Sequence, residues 1–155
     1  MTPHFALSHF ISGTFYRLPE SMPMIPDQTA KWFVLVVDDE HVIADTLVLI
    51  LTQAGFDAVA AYSGREAVHR AVQLKPDLVI TDVVMPDMNG IDASIAIKSF
   101  LPQCKILLFS GQANTSNLLR QSRNSGHSFE LLSKPVPPAD LIAKLRDYSG
   151  SQAAV

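Results

Sequence analysis

Asp38, Asp39, Asp82, Ser110 and Lys134 are the residues of this chain whose types and placement could do chemistry together. Each stands at the carboxyl end of a short apolar run: FVLVV before Asp38-Asp39, LVIT before Asp82, ILLF before Ser110 and ELLS before Lys134. Brought to one place, three carboxylates would raise one another's pKa unless a cation shared their charge. Hard oxygen ligands in a water-accessible site favour Mg2+, which takes one or two carboxylates and then recruits phosphate oxygens. A lysine and a hydroxyl opposite the metal would supply a point cation and a hydrogen bond for the remaining phosphoryl oxygens. A carboxylate can itself be the nucleophile, so the set suits receipt of a phosphoryl group onto one aspartate.

Taken singly, each residue has a plainer use. Asp38-Asp39-Glu40 could simply favour the start of the following helix. Asp82 could initiate the turn before Met85-Pro86, Lys134 could be a solvated surface lysine, and Ser110-Gly111 says little alone. Their joint occurrence at strand ends gives the chemical reading its weight. Pro86, Asn89 and Gly90 read as turn chemistry. His4 and His9 lack a third ligand nearby, and His41, His69 and His127 carry no signature.

The elements that must position these residues follow from periodicity. The apolar runs Phe33 to Val37, Ala58 to Ala61, Leu78 to Thr81, Ile106 to Ser110 and Glu130 to Ser133 are short, as strands buried on both faces would be. Between them lie segments with helical spacing. Ile43, Leu47, Ile50, Leu51 and Ala54 form one stripe, with Gly55 as a stop. Ser63 and Glu66 form a capping-box pattern ahead of Ala67, Ala71 and Leu74. Pro137-Pro138 precede the stripe Leu141, Ile142, Leu145 and Tyr148. Weaker helical patterns occupy Ile91 to Phe100 and Asn114 to Ser125. The alternation predicts an α/β fold, a (βα)5 doubly wound parallel sheet with helices on both faces, for which the order 2-1-3-4-5 is expected. In that order the second strand is an edge and ends blandly in Ala61-Tyr62-Ser63. The other four strand ends, with the polar residues, converge on one crevice.

Residues 1–31, aromatic and punctuated by Pro3, Pro19, Pro23 and Pro26, read as an irregular arm before a domain over 32–148 and a tail over 149–155. A true start at Met22 or Met24 would make the arm a gene-model artefact; a genuine arm would cover a surface or mediate dimer contacts. Twelve basic against fifteen acidic residues leave a net charge of −3 with no like-charge run, so neither a nucleic-acid nor an anionic-membrane footprint is present. A single cysteine, Cys104, excludes an internal disulfide and a cysteine-based zinc site, and suits a reducing compartment. The start lacks a basic signal-peptide region, and no apolar window spans a bilayer. A cytoplasmic single-domain protein is expected.

LVVDDE (Leu35 to Glu40), LVITDVVMPDMNG (Leu78 to Gly90), LLFSG (Leu107 to Gly111) and LLSKPV (Leu131 to Val136) resemble, in order and spacing, the receiver domain of two-component response regulators. The resemblance runs from Trp32 to Tyr148 and implies a flavodoxin-like fold. It makes Asp82 the phosphoacceptor, Asp39 a direct Mg2+ ligand and Asp38 its partner, often through water. It adds the backbone carbonyl of Val84 to the metal's ligands, makes Ser110 the switch hydroxyl, and makes Lys134 the lysine of a cis Lys-Pro pair. A sensor histidine kinase or histidine phosphotransfer protein would supply the phosphoryl group. With only a few residues after Tyr148, output would pass to a downstream target protein, with no direct nucleic-acid or membrane contact, from a monomer or weak dimer. The only chemistry expected is self-catalysed phosphoryl transfer and autodephosphorylation, without a separate enzymatic activity.

Three departures bear on mechanism. Leu131 stands where the family usually has an aromatic residue whose rotamer follows the switch hydroxyl; Phe129, two residues earlier, would lie on the same face. Val84 and Gln112 flank the expected position of hydrolytic water, and Val84 cannot hydrogen-bond it, so a long-lived aspartyl-phosphate is expected. The segment 114–127 offers only Leu118 and Leu119 for burial, so its helix should be the least stable and should move or order on phosphorylation.

Other readings are a receiver-like module that dimerises or binds without phosphorylation, and a Mg2+-dependent aspartyl phosphatase. Haloacid-dehalogenase-like phosphatases carry Asp-x-Asp, where Val84 here removes the general acid. A flavodoxin-like flavin binder would need a hydroxyl- and glycine-rich loop where Asp38-Asp39-Glu40 stand.

Overall fold

The computed structural model describes Phe10–Ile11, Thr14–Phe15, and residues 31–111 and 115–152. The chain divides into two units, Met1–Ala30 and Lys31–Val155. The first contains one antiparallel pairing, Phe10–Ile11 with Thr14–Phe15, within the arm expected to be irregular; the rest of that arm lies outside the described residues.

In the second unit the apolar runs form β1 (Phe33–Val37), β2 (Asp57–Ala61), β3 (Leu78–Asp82), β4 (Lys105–Ser110) and β5 (Glu130–Ser133). They pair in parallel in the order β2-β1-β3-β4-β5, the expected order. The connecting helices are α1 (His41–Gln53), α2 (Gly64–Leu74), α3 (Gly90–Phe100), α4 (Thr115–Asn124) and α5 (Pro138–Gln152).

Alternation along the strands sorts side chains to two faces. Leu35, Val37, Val79 and Leu108 pack with Ala67 and Ala71 of α2, Ile91 and Ile97 of α3 and Leu119 of α4. Val34, Val36, Leu78, Ile80, Leu107 and Phe109 pack with Leu51 of α1 and Leu141 and Leu145 of α5, with Trp32 at the margin. Both faces of the sheet are therefore covered, which is why its strands read as continuous apolar runs rather than alternating ones.

The elements differ from expectation at their ends. β2 and β4 each begin one residue earlier, at charged Asp57 and Lys105, and β3 extends through Asp82 itself. α5 runs on to Gln152, so the expected tail begins as helix; the polar SGSQ stretch carries no apolar stripe to reveal this. At α2 the Ser63 hydroxyl accepts from the Glu66 N–H at 3.0 Å. The Glu66 carboxylate reaches one residue further back than a capping box predicts, accepting from the Tyr62 N–H at 2.9 Å, and it also takes Arg70 Nε at 2.8 Å.

Two glycines fix how the helices meet the loop after β3. A Cβ on Gly90, the first residue of α3, would lie 2.0 Å from the Asp82 carbonyl oxygen and 2.9 Å from Thr81 Oγ1. The Gly90 N–H donates to the Val83 carbonyl at 2.8 Å, holding that approach. A Cβ on Gly64, the first residue of α2, would lie 2.5 Å from the Met88 carbonyl oxygen. Within that loop Asp87 has φ +64° and is bridged by the Met88 N–H donating to the Pro86 carbonyl at 2.8 Å, a tight three-residue turn.

Candidate functional site

The carboxyl ends of β1, β3, β4 and β5 meet on one rim of the sheet. β1 delivers Asp38 and Asp39 just before α1, and β3 ends in Asp82. The carboxylates of Asp38, Asp39 and Asp82 each place an oxygen within 4.8 Å of the others. Asp38 is buried, its Oδ1 accepting from the Glu40 N–H at 2.9 Å, while Asp39 is more open to solvent. Asp82 Oδ1 accepts from the Val83 N–H at 2.9 Å. Lys134 extends its ammonium from the end of β5 to within 3.3 Å of Asp38 Oδ2 and 3.5 Å of Asp82 Oδ1. The backbone holds it there: the Lys134 N–H donates to the Ser110 carbonyl at 2.9 Å, and the Lys134–Pro135 peptide is cis.

Burial pushes the Asp82 carboxyl above its ordinary pKa; Lys134 pulls against that shift and Asp38 adds to it, leaving a net upward displacement. A carboxylate left under-compensated by one lysine, beside two others, is a place where a further positive charge is favourable. The donors are all hard oxygens, one side is open, and no soft ligand intrudes, so the residues present fit a small divalent cation.

Ser110 ends β4, directly after Phe109, the strand partner of Asp82. Its hydroxyl is hydrogen-bonded to the hydroxyl of Thr115, the first residue of α4, and both residues are buried. Sequence reasoning did not single out Thr115. Its partner is set by the return of the chain after β4, which periodicity does not report. Val84 lies two residues beyond Asp82 and is 40% exposed. Leu131 is half-buried and packs on the same cluster as Phe129, which is buried and stacked parallel on His127 at 6.1 Å. Phe129 thus serves as a core side chain. Gln112 and Asn114 lie outside the described residues.

α4 presents a thin buried face. Leu119 is buried and Leu118 only partly so, and its other buried residues, Thr115 and Ser122, are polar. Among the described residues no helix is long and apolar enough to cross a membrane.

The sequence model of the response regulator receiver domain family matches residues 34–146. The chain is 35% identical over 117 residues to the chemotaxis protein CheY of Thermotoga maritima, spanning 75% of this chain and 96% of that protein. It is 30% identical over 120 residues to the DNA-binding response regulator MtrA of Mycolicibacterium smegmatis, spanning 76% of this chain and 50% of that one. Among solved structures, a CheY-like receiver domain protein of Methanospirillum hungatei superposes with TM-score 0.72 at 27% identity, covering 80% of this chain and 98% of its own. Chemotaxis protein CheY4 of Vibrio cholerae superposes with TM-score 0.67 at 29% identity, covering 76% and 98%.

Proposed function

The chain belongs to the family of response regulator receiver domains, and from that membership we propose that it accepts a phosphoryl group onto Asp82 and signals by changed protein binding. The observation that carries the reading is the position of Lys134 between Asp38 and Asp82, with a third carboxylate beside them. A carboxylate so placed is a nucleophile with an ammonium ready for the charge that arrives.

In the proposed step an Asp82 carboxylate oxygen forms a bond to phosphorus as the phosphorus–nitrogen bond of a phosphohistidine breaks, and the imidazole leaves with the electron pair. The donor is a sensor histidine kinase or histidine phosphotransfer protein. Lys134 offsets charge on the phosphoryl oxygens, and the Ser110 hydroxyl donates to one of them. Asp38, Asp39, Asp82 and the backbone carbonyl of Val84 would hold Mg2+, which supplies charge neutralisation for the in-line displacement. The product is an acyl phosphate that the protein itself slowly hydrolyses, so no separate enzymatic activity is assigned.

The test is intact-protein mass after incubation with a small acyl phosphate donor, with and without Mg2+. Wild type is expected to gain one phosphoryl group only when Mg2+ is present, and Asp82→Asn is expected to gain none. An unchanged wild-type mass under conditions where calorimetry detects Mg2+ binding would move the assignment to a receiver that binds partners without phosphorylation.

Lifetime follows from Val84. Its side chain has no donor or acceptor with which to align a water for attack on the phosphoryl group. Val84→Asn is therefore expected to shorten the phosphorylated state, because a side chain that aligns the attacking water lowers its barrier. An unaltered decay of the phosphorylated mass would remove Val84 as the determinant.

A further inference from the structure

The Ser110–Thr115 hydroxyl pair has a consequence that goes beyond phosphoryl acceptance, though it rests on that reading. The two hydroxyls are buried at 6% and 2% exposure and are hydrogen-bonded to one another, tying the end of β4 to the first residue of α4. A buried hydroxyl stripped of its partner is costly, so each group has a stake in where the other stands. On the α4 side little else competes with that stake. Leu119 is its one buried apolar residue, Ser122 bonds locally to the Leu119 carbonyl at 2.9 Å, and α3 and α4 barely touch. On the Ser110 side, one proton is available to donate, and phosphoryl oxygens only accept.

We infer that Thr115 is a positioning residue that holds the Ser110 hydroxyl in the unphosphorylated protein, in competition with a phosphoryl group on Asp82. Turning Ser110 toward Asp82 withdraws its oxygen from Thr115 and releases the first turn of α4. Leu131, which lacks an aromatic ring, need not move for this to occur. By linkage, a change at Thr115 that weakens the Ser110–Thr115 bond must favour the phosphorylated state by the same factor.

The experiment uses the full chain, beryllium fluoride with Mg2+ as phosphoryl mimic, and the variants Thr115→Val, Thr115→Ala, Thr115→Ser and Ser110→Ala. Thr115→Val keeps the shape and removes the hydroxyl; Thr115→Ala serves if it fails to fold. Either is expected to bind the mimic about five-fold more tightly, the worth of one neutral hydrogen bond. Thr115→Ser should match wild type, and the gain should vanish when Ser110→Ala is added. A second readout needs no mimic on the variant. Amide exchange across residues 115–119 should quicken in Thr115→Val alone, to the level that wild type reaches with the mimic bound.

Equal or weaker mimic affinity in both hydroxyl-free variants would overturn the inference, as would a gain that survives in the Ser110→Ala background. If wild type binds no mimic and gains no phosphoryl mass, the phosphoacceptor reading falls and this inference falls with it. If wild type gains the mass and only the Thr115 effects are missing, this inference alone falls.

Discussion

Gly90→Ala is expected to cost the fold about 3 kcal/mol, the upper range for forcing a methyl group into a packed interior. The obstacle is backbone, not a side chain that could swing aside. The added Cβ would sit 2.0 Å from the Asp82 carbonyl oxygen and 3.0 Å from its carbonyl carbon. Relief requires α3 to lift from β3, which stretches the Gly90 N–H bond to Val83 and disturbs the Ser94 hydroxyl bond to the Gly90 carbonyl at 2.6 Å. Alternatively Asp82 itself is pushed aside. Either path moves the Asp82 carboxylate, the proposed acceptor, and misplacement of a reacting group by about 1 Å can lower rate about 100-fold. The expected result is a lower urea midpoint together with a loss of phosphoryl acceptance at temperatures where the variant is still folded. A stability change of less than about 0.5 kcal/mol, within the range of an ordinary surface change, would show that the loop after β3 yields more easily than its packing implies.

Lys134→Ala is expected to separate two properties that a simpler picture would couple. The ammonium lies 3.3 Å from Asp38 and 3.5 Å from Asp82, so it already neutralises part of the charge that a divalent cation would neutralise. Removing it leaves the carboxylates with more uncompensated charge, and Mg2+ binding measured by calorimetry should tighten. Phosphoryl acceptance should nevertheless fall about 100-fold, the scale for losing one preorganised group aimed at developing charge. Burial already holds Asp82 above its ordinary pKa and Lys134 opposes that, so its loss also displaces the Asp82 carboxyl further upward. Parallel loss of metal binding and phosphoryl acceptance would contradict this division of labour and make Lys134 a support for the metal site.

Much of this was legible in the sequence because burial on both faces writes strands as unbroken apolar runs. Val34 to Val37 and Leu78 to Thr81 are at most 2% exposed, so every position had to be apolar or able to bury its one hydroxyl. That left Asp38 and Asp82 conspicuous as the polar residues ending each run. What the runs cannot report is anything decided by the meeting of distant backbone. The capping carboxylate of Glu66 finds Tyr62 rather than Ser63 because the approach to α2 is extended there. α2 ends on Lys75 in the left-handed region, at φ +48°, where a glycine would have been the readable signal. The pairing of Phe10–Ile11 with Thr14–Phe15 did have a local signal, since Ser12-Gly13 lies between them, but the surrounding prolines obscured it. Thr115 had none, because its importance lies entirely in what stands opposite.

The two glycine contacts also give the rim a mechanical asymmetry. α2 and α3 pack extensively, and α2 presses on the loop after β3 at Met88 while α3 presses on the end of β3 at Asp82. On the opposite side α4 rests on a pair of hydroxyls and a single buried leucine. Work done at Asp82 by an incoming group meets a stiff wall in one direction and a compliant one in the other. Displacement therefore goes where the resistance is least. A partner that senses this protein's state gains most by gripping the compliant side, and one that must dock without disturbing it gains most by holding the stiff one.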